Sequence, residues 1–339
     1  MSPARLANVI QNNPADSHQI ERLTRLNIAD MLDNFGLGGL RYGRRLIELA
    51  CRAPAQILAS QVAGFDRRVG EAGLQTAARE WLLPYVNRLE ISGGDRIPTD
   101  GGVIVAANHP GMTDSLACFS SIARPDLHLV SADRPFMRTM THIARRTFFV
   151  SDQDHERLTV VRQVSRFVQQ GGAVLICPAG QIEPDPAVQP GASESLETWS
   201  DSLGLFVRLA PRAVVIPAVV SGVVYGPALH HPLTRLRKSP KDRERVAATL
   251  QAFWQSTGRI TPRMRVRVEF GMPLPASDLI PLGDAHLITR AITAAVRRLI
   301  ERAASAATPE QAAAAAASTQ PDRAYQSTQQ IDLKEEAQP

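Results

Sequence analysis

One short segment constrains the fold most: an apolar run that ends at a proline–glycine turn and is followed by the start of a helix. The run is Gly102–Ala107, and its β-branched residues indicate a buried strand. Pro110-Gly111 ends the strand in a turn, and Thr113-Asp114-Ser115 supplies residue types that favour a helix N-terminus. The segment therefore predicts a strand, a tight turn and a helix in direct succession.

The same alternation continues along the chain. The predicted strands are Val103–Ala107, Leu127–Val130, Thr147–Val150, Ala173–Cys177 and Ala213–Val220, and the predicted helices are Asp114–Ala123, His155–Gln169 and Leu203–Leu209. Continuous apolar strands separated by helices are typical of an α/β fold with a mainly parallel sheet covered on both faces. Met264–Phe270 alternates with period two, which favours a half-exposed edge strand in a mixed sheet.

The patterning divides the chain of 339 residues into four parts. We expect a loosely ordered N-terminus (1–17), an N-terminal helical segment (18–87), the α/β domain (88–305) and a disordered tail (306–339). The tail is predicted from an alanine run and a Gln-, Ser- and Thr-rich composition. Gly36-Leu37-Gly38-Gly39 follows a helix rather than a strand, so we interpret it as a turn between helices and not as a phosphate loop.

Composition narrows the location and the partners. No apolar stretch approaches the roughly 18–20 residues that span a bilayer, and the N-terminus lacks the apolar core of a secretory signal. Three cysteines, Cys51, Cys118 and Cys177, lie among apolar neighbours, which indicates a reducing cytoplasm. The net charge of +5 comes mainly from arginine, through either a GC-rich coding sequence or affinity for phosphate-bearing partners. With 5% aromatic residues and no aromatic–basic interleaving, we expect no nucleic-acid partner.

The turn after Gly102–Ala107 carries the first candidate catalytic residues. His109 lies at the end of the predicted strand, and Asp114 follows at the start of the helix. A carboxylate that holds one ring nitrogen of a histidine makes the other nitrogen a better proton acceptor. These two residues therefore predict a general base with its orienting acid. The alternative is that Asp114 only caps its helix while His109 packs at the strand end.

Two further strands end in unusual turns. The strand over 174–177 runs into Pro178-Ala179-Gly180, and Pro217 interrupts the strand at 213–220. Because ligands of open α/β sheets gather at the carboxyl ends of strands, these ends are candidate parts of the same site.

At four places the sequence resembles the lysophospholipid (glycerolipid) acyltransferase family, over about residues 88–275. The blocks, in the order of the family's motifs, are Asn108-His109-x4-Asp114, Thr147-Phe148-Phe149-Val150, Cys177-Pro178-Ala179-Gly180 and Val215-Ile216-Pro217-Ala218. Val268–Leu274 is similar to the strand and turn that close the family's domain. The resemblance implies an O-acyltransferase that moves a fatty acyl group from acyl-CoA or acyl carrier protein to a hydroxyl of a lysophospholipid-like acceptor. Neither a metal nor a resident cofactor is implied.

The resemblance also assigns residues. His109 and Asp114 are the catalytic pair, and the substrate-binding candidates are Asn108, Gly111, Arg146, Pro178, Ala179, Gly180, Glu183 and Pro217. Two departures place the acceptor in doubt, because Ala179 stands where the third motif has glutamate and Asp152 stands near the place of the second motif's arginine. We expect the N–H groups of Gly111 and Gly180 to stabilise the oxyanion. Glu183 could replace the missing carboxylate, although a solvated loop acid is the more ordinary interpretation.

Other interpretations stay open. The chain could be a non-catalytic lipid-binding relative of the family, or a thioesterase or hydrolase that passes the acyl group to water. Cys177 could be a nucleophile, but a small core residue is the more ordinary interpretation. The N-terminal helices, with Arg41, Arg44, Arg45 and Arg52, could lie in the interface of the inner face of the cell membrane, or pack on the domain as ordinary amphipathic helices. The basic cluster 235–243 could contact the same anionic surface, or form a solvated approach to a helix.

Overall fold

A computed structural model describes residues 14–40, 42–151, 153–258, 264–306 and 328–331. The longer helices are α1 (Pro14–Asn34), α2 (Arg44–Ala72), α3 (Leu74–Leu82), α4 (Met112–Ser121), α5 (Asp154–Gln169), α6 (Ser202–Leu209), α7 (Pro240–Thr257) and α8 (Ala285–Ala306). Short helical turns cover Gly94–Arg96, Pro135–Thr139, Thr141–Ala144, Ala192–Ser195, Leu196–Thr198, Gly226–Leu229, Pro232–Leu236, Ala276–Leu279 and Ile280–Leu282. The strands are β1 (Val86–Ser92), β2 (Val103–Ala107), β3 (His128–Ala132), β4 (Thr147–Val150), β5 (Ala173–Ile176), β6 (Val214–Ser221), β7 (Met264–Phe270), β8 (Leu274–Pro275) and β9 (Thr328–Ile331).

The strands form one mixed sheet in the order β4-β3-β5-β2-β6-β7-β1-β9, and β8 pairs with β6. The five strands from β4 to β6 are mutually parallel, whereas β7 runs antiparallel to β6 and parallel to β1. In β2 every residue is buried, which explains why its sequence is a continuous apolar run and does not alternate. The structure thus confirms the predicted α/β fold with a mainly parallel, mixed sheet.

Helices cover both faces of the sheet. One apolar core lies between one face and helices α2 to α4, and includes Phe65, Leu82 and Phe119. A second core lies on the opposite face beneath α5, α6 and α8, and includes Phe206 and Ile292. Because both faces are covered, the carboxyl ends of the parallel strands are left as the edge at which a ligand can approach.

One strand differs from its prediction. Met264–Phe270 is β7, which lies between β6 and β1 and is therefore not an edge strand. Its alternation has another cause. Val266 and Val268 point into the core, whereas Arg267, on the other face, pairs with Glu90 of β1 at 3.1 Å. Alternation of apolar and polar residues indicates that one face of the strand is solvated. An interior strand of a mixed sheet can also have a solvated face.

The N-terminal segment is helical, as predicted, and its later part is packed into the domain. The second half of α2 buries Val62, Phe65 and Val69. The carboxylate of Asp66, which is also buried, accepts main-chain hydrogen bonds from His142 and Ile143, each at 2.9 Å. The first half of α2 is different, because Leu46 and Leu49 are 73% and 71% exposed.

The turn at Gly36–Gly39 separates α1 from α2, which confirms its interpretation as a break between helices. Most of the two terminal segments expected to lack order, 1–17 and 306–339, lies outside the described residues. Within them, α1 begins at Pro14, and β9 pairs with the outer edge of β1, whose backbone groups would otherwise lack strand partners. The strand β9 was not predicted, and α1 begins before residue 18, where the helical segment was expected to start. In the described part of the chain, no helix combines the length and apolar character that crossing a membrane requires.

Candidate active site

All of the candidate residues except Arg146 lie at or near the carboxyl ends of β2, β5 and β6. These three strands are neighbours, and Ala106 of β2 is in register with Ile176 of β5 and Pro217 of β6. The loops that follow β2, β5 and β6 therefore emerge side by side. This register brings together the first motif block, which follows β2, and the third, which follows β5, as the sequence predicts.

His109 and Asp114 form a hydrogen-bonded pair. The distance from Nδ1 of His109 to Oδ2 of Asp114 is 2.8 Å. A carboxylate at this distance favours the tautomer with the proton on Nδ1, which leaves Nε2 as a proton acceptor. The His109 side chain is 31% exposed, whereas the Asp114 side chain is only 1% exposed. Solvent can therefore reach the ring while its acidic partner stays covered.

Asp114 is held by two further donors. Its Oδ2 also accepts the main-chain N–H of Gly111 at 2.9 Å, and its Oδ1 accepts the hydroxyl of Ser115 at 2.9 Å. Asp114 also lies in the first turn of α4, where the helix dipole favours a negative charge. It thus orders the turn and orients the ring together, so the capping and catalytic interpretations do not exclude each other.

The charge of Asp114 raises the pKa of His109 above its ordinary value of 6.5. Burial acts in the opposite direction, and the hydrogen bond to Asp114 and the charge of Glu183 add to the rise. A raised pKa makes the neutral ring a stronger base, and it also requires a higher pH for the ring to be neutral.

Glu183 is buried beside His109, and the interpretation as a solvated loop acid is wrong. Its side chain is 1% exposed, and its Oε2 accepts the main-chain N–H of His109 at 2.9 Å. In return the N–H of Glu183 donates to the carbonyl oxygen of His109 at 2.8 Å. Oε1 accepts hydrogen bonds from Nε1 of Trp199 and Oγ of Ser195. Burial raises the pKa of Glu183, while these donors act to lower it.

Asn108 extends the sheet by one residue beyond β2. Its Nδ2 donates to the carbonyl oxygen of Val220 at 3.0 Å, and its Oδ1 accepts the N–H of Val220 at 2.7 Å. The side chain is 2% exposed and thus replaces a pair of strand hydrogen bonds. These bonds to β6 hold the residue that directly precedes His109, and the expected contact of Asn108 with a substrate stays a prediction.

The two expected oxyanion donors are engaged elsewhere. The N–H of Gly111 donates to Asp114, and the N–H of Gly180 donates to the carbonyl oxygen of Cys177 at 3.1 Å. Gly180 has a φ of 62°, so glycine suits this tight turn. Assigning oxyanion stabilisation to these two groups is therefore wrong for this conformation. Ala179 of the same turn packs partly buried against the core on the α5–α6 face.

Arg146 lies away from the site. It precedes β4, so it lies at the opposite edge of the parallel strands, where its Nη1 donates to the carbonyl oxygen of Pro125. The direction of β4 thus corrects its substrate-binding assignment. Pro217 is buried in β6 in register with Ala106, and its carbonyl oxygen accepts the N–H of Gly271 at 2.7 Å. Its substrate-binding assignment stays a prediction. Pro178 does lie at the catalytic edge, where its carbonyl oxygen accepts the N–H of Ser200. Asp152 lies outside the described residues.

Cys177 follows β5 close to this cluster. Burial raises the pKa of its thiol well above the ordinary value of 9.0, and the nearby charge of Asp114 adds to the rise. The thiolate is the nucleophilic form of cysteine, and it is therefore disfavoured here. This supports the interpretation of Cys177 as a small structural residue.

A second buried carboxylate shapes the loop after β6. Asp185 is fully buried, and it accepts main-chain N–H groups from Gly222, Val223 and Val224 at 2.8–3.0 Å. A cavity of ≈ 30 Å³ lies between this loop, the His109 turn and α7, and its lining includes Thr113.

Sequence reasoning missed the partners of Glu183 and the role of Asp185. Trp199 and Ser195 lie 16 and 12 residues beyond Glu183, and no short motif joins them to it. The only signal was the accumulation of acidic residues at 183–185 within an otherwise weakly charged loop. Within the described residues, no group of three or more His, Cys, Asp or Glu side chains could hold a metal ion.

Comparison with known proteins agrees with this arrangement. A family model described as Acyltransferase matches residues 88–221, which include His109, Asp114 and Glu183. Over this segment the chain is similar to the acyltransferase family, which confirms the resemblance predicted from the motif blocks.

Among solved structures, the chain is similar to the 1-acyl-sn-glycerophosphate acyltransferase PlsC from Thermotoga maritima. The sequence identity is 14%, the TM-score is 0.42, and the match covers 85% of this chain and 94% of that chain. No curated protein matches the chain.

Proposed function

We propose that this protein is an O-acyltransferase that moves a fatty acyl group from a thioester to a hydroxyl of a lysophospholipid-like acceptor. The observation that carries the proposal is the 2.8 Å contact between His109 and the buried carboxylate of Asp114, at a strand end within the acyltransferase segment. This pair is a histidine base oriented by an acid, which is the group that a hydroxyl needs in order to become a nucleophile.

The reaction follows from the arrangement. Nε2 of His109 takes the proton of the acceptor hydroxyl, and Asp114 stabilises the imidazolium that forms. The oxygen attacks the thioester carbonyl carbon, the carbon–sulfur bond breaks, and the ester forms. The departing thiolate takes the proton back from His109, so the enzyme returns to its starting state without a covalent acyl intermediate. The disfavoured thiolate of Cys177 supports this direct route.

We propose that the acyl donor is acyl-CoA or acyl carrier protein. The proposed acceptor is a lysophospholipid-like lipid with a free hydroxyl, and it is not restricted to 1-acylglycerol-3-phosphate. Ala179 replaces the acid of the third motif, and Arg146 lies at the far edge of the sheet. Both facts argue against carrying over a glycerol-phosphate site. A role in phospholipid biosynthesis is therefore proposed for the reaction type and not for one named acceptor.

Peripheral contact with an anionic membrane is part of the proposal. Tyr42, Leu46 and Leu49 are 91%, 73% and 71% exposed at the start of α2, and Arg45 lies beside them. Apolar side chains that are flanked by arginines suit the headgroup region of a bilayer, where a lipid acceptor would be found.

The test is an assay of the purified protein with acyl-CoA or acyl carrier protein thioesters and a panel of lyso-lipids that differ in headgroup. Free thiol and acylated lipid are measured in the same samples. We expect equal amounts of both products with at least one acceptor. Thiol release without acylated lipid would instead indicate a thioesterase. Lipid binding without turnover for any donor would indicate a non-catalytic relative, and either result would overturn the proposal.

A further inference from the structure

We propose that Glu183 is a positioning residue for the general base, and that its carboxylate fixes the main chain of His109 at the end of β2. This inference rests on the proposed role of His109 in acyl transfer. It concerns a residue that lies outside the His-x4-Asp pair and contacts that pair from a different loop, 74 residues further along the chain.

The backbone of His109 has lost its strand partners. β2 ends at Ala107, and the pairing of β2 with β6 ends at the same residue. Glu183 supplies both missing hydrogen bonds, since its Oε2 accepts the N–H of His109 at 2.9 Å and its own N–H donates to the carbonyl oxygen of His109 at 2.8 Å. The histidine is thereby held by its main chain from one side and by Asp114 through its ring from the other.

The carboxylate is itself fixed on its second oxygen. Nε1 of Trp199 donates to Oε1 at 2.9 Å, and Oγ of Ser195 donates to it at 3.0 Å. Both donors lie beyond the loop, in the short helical segment 192–199, so they anchor Glu183 to the core on the α5–α6 face. A buried carboxylate with donors on both oxygens is a rigid connector, whereas a neutral amide would place an N–H group against one of those donors.

Glu183 also acts on the ring through its charge. The charged groups that act on His109 are Asp114 on α4 and Glu183 in the loop after β5. The thiol of Cys118 on α4 lies near Asp114, and the thiol of Cys177 after β5 lies near both carboxylates. Burial raises the pKa of both thiols, so they are uncharged at neutral pH. The two carboxylates are therefore the negative charges that favour a protonated His109, and Glu183 is the smaller contributor.

The experiment compares Glu183→Gln, Glu183→Asp and a matched control in the full-length protein. The control is Asp66→Asn, which also alters a buried carboxylate that accepts main-chain hydrogen bonds, at 142–143 and away from His109. The His109 ring is titrated by NMR with labelled histidine, and its signal is assigned with His109→Gln. kcat and KM are measured across pH.

We expect E183Q to lower the pKa of His109, because a negative charge is removed, and to shift the acidic limb of the kcat profile to lower pH. At its optimum kcat should fall by roughly tenfold to a hundredfold, because the ring is less well placed. E183D keeps the charge, so the pKa of His109 should stay close to that of the wild type while kcat still falls. Asp66→Asn should lose stability but leave the titration and the pH profile unchanged.

A wild-type titration of His109 together with undiminished kcat in E183Q would overturn the inference. Should E183Q fail to fold, E183D and Trp199→Phe replace it in the test. Trp199→Phe removes one hydrogen-bond donor to Oε1 of Glu183, so kcat should fall by several-fold while KM stays unchanged. A wild-type kcat in both variants would also contradict the inference. The NMR titration needs no turnover. An inactive wild-type protein would therefore contradict the proposed function, while the coupling of Glu183 to His109 would still be measured.

Discussion

At the scale of single residues, the site is a histidine held by two acids with different tasks. Asp114 contacts the ring, and Glu183 contacts the main chain. The pattern His-x4-Asp made the first contact predictable, because five residues that include a Pro-Gly turn can bring the acid back onto the ring. The second contact joins loops 74 residues apart, and a single sequence carries no local signal for it.

Replacement of Asp114 by asparagine tests the ring contact. Asp114→Asn removes the charge that raises the pKa of His109, so the acidic limb of kcat/KM should move to lower pH. The maximal rate should still fall by about 10²- to 10⁴-fold, since the amide no longer stabilises the imidazolium or fixes the tautomer. A pH–rate profile of wild type and variant measures both effects. A limb that moves to higher pH would contradict the assigned sign.

Replacement of Cys177 tests the absence of an acyl-enzyme. Cys177→Ala should retain most of the wild-type kcat, because the buried thiol does not act as a nucleophile. Steady-state kinetics and mass spectrometry after mixing with thioester give the two readouts. Loss of all turnover in a folded variant, or an acyl adduct on the wild-type Cys177, would show that the direct route is wrong.

At the scale of elements, the two edges of the sheet differ in kind. The carboxyl edge carries the acids and the base. At the opposite edge the guanidinium of Arg124, only 3% exposed, joins its own loop to two others through the carbonyl oxygens of Pro98 and Gly101 in one and Gly171 in the other. It also pairs with Asp126 at 2.8 Å. This edge stabilises the strands whose other ends form the site.

Arg124→Met should therefore affect stability far more than chemistry. Removal of the buried cation leaves three carbonyl oxygens without their donor, so we expect unfolding to become easier by about 3 kcal/mol or more. Urea denaturation gives the value. Arg25→Met, at an arginine that is 76% exposed, is the control and should change stability by less than about 0.5 kcal/mol. Equal effects of the two substitutions would contradict the role given to Arg124.

The first turns of α2 are the element proposed to meet the membrane. Leu46→Ser with Leu49→Ser should weaken binding to anionic vesicles by roughly tenfold to a hundredfold, because two exposed leucines could no longer enter the interface. The matched control is Leu282→Ser with Leu287→Ser, which changes two exposed leucines at the start of the C-terminal helical region. Vesicle co-sedimentation measures both. Identical binding of the two double variants would argue against membrane contact through α2.

At the scale of the whole molecule, the sequence predicted what depends on local pattern. Continuous runs of strand-forming residues identified β2 and β4 to the residue, and β2 has no polar position because it is covered on both faces. Position in the sheet was harder. β7 alternates as an edge strand would, but lies between β6 and β1, since the order of strands depends on contacts between distant segments.

For the site too, the sequence predicted local features and missed those that depend on distant segments. The residues that share one turn, His109 and Asp114, were identified together, whereas the assignment of Arg146 failed because it depends on strand direction. Glu183 was placed in the right loop but in the wrong environment. Its burial arises from Trp199 and from the main chain of His109, which only the folded chain brings to it.

The central claim is that His109 activates a lipid hydroxyl for attack on a thioester, and one comparison tests it directly. Wild type, His109→Gln and His286→Gln are assayed for acylated lipid and free thiol in the same reaction. His286 is the matched control, because it also pairs with an aspartate, Asp201, at 3.2 Å, but on the exposed surface. We predict equal yields of thiol and acylated lipid for wild type and His286→Gln, and a loss of both by about 10²- to 10⁴-fold for His109→Gln. Full transfer activity in a folded His109→Gln variant would contradict the account.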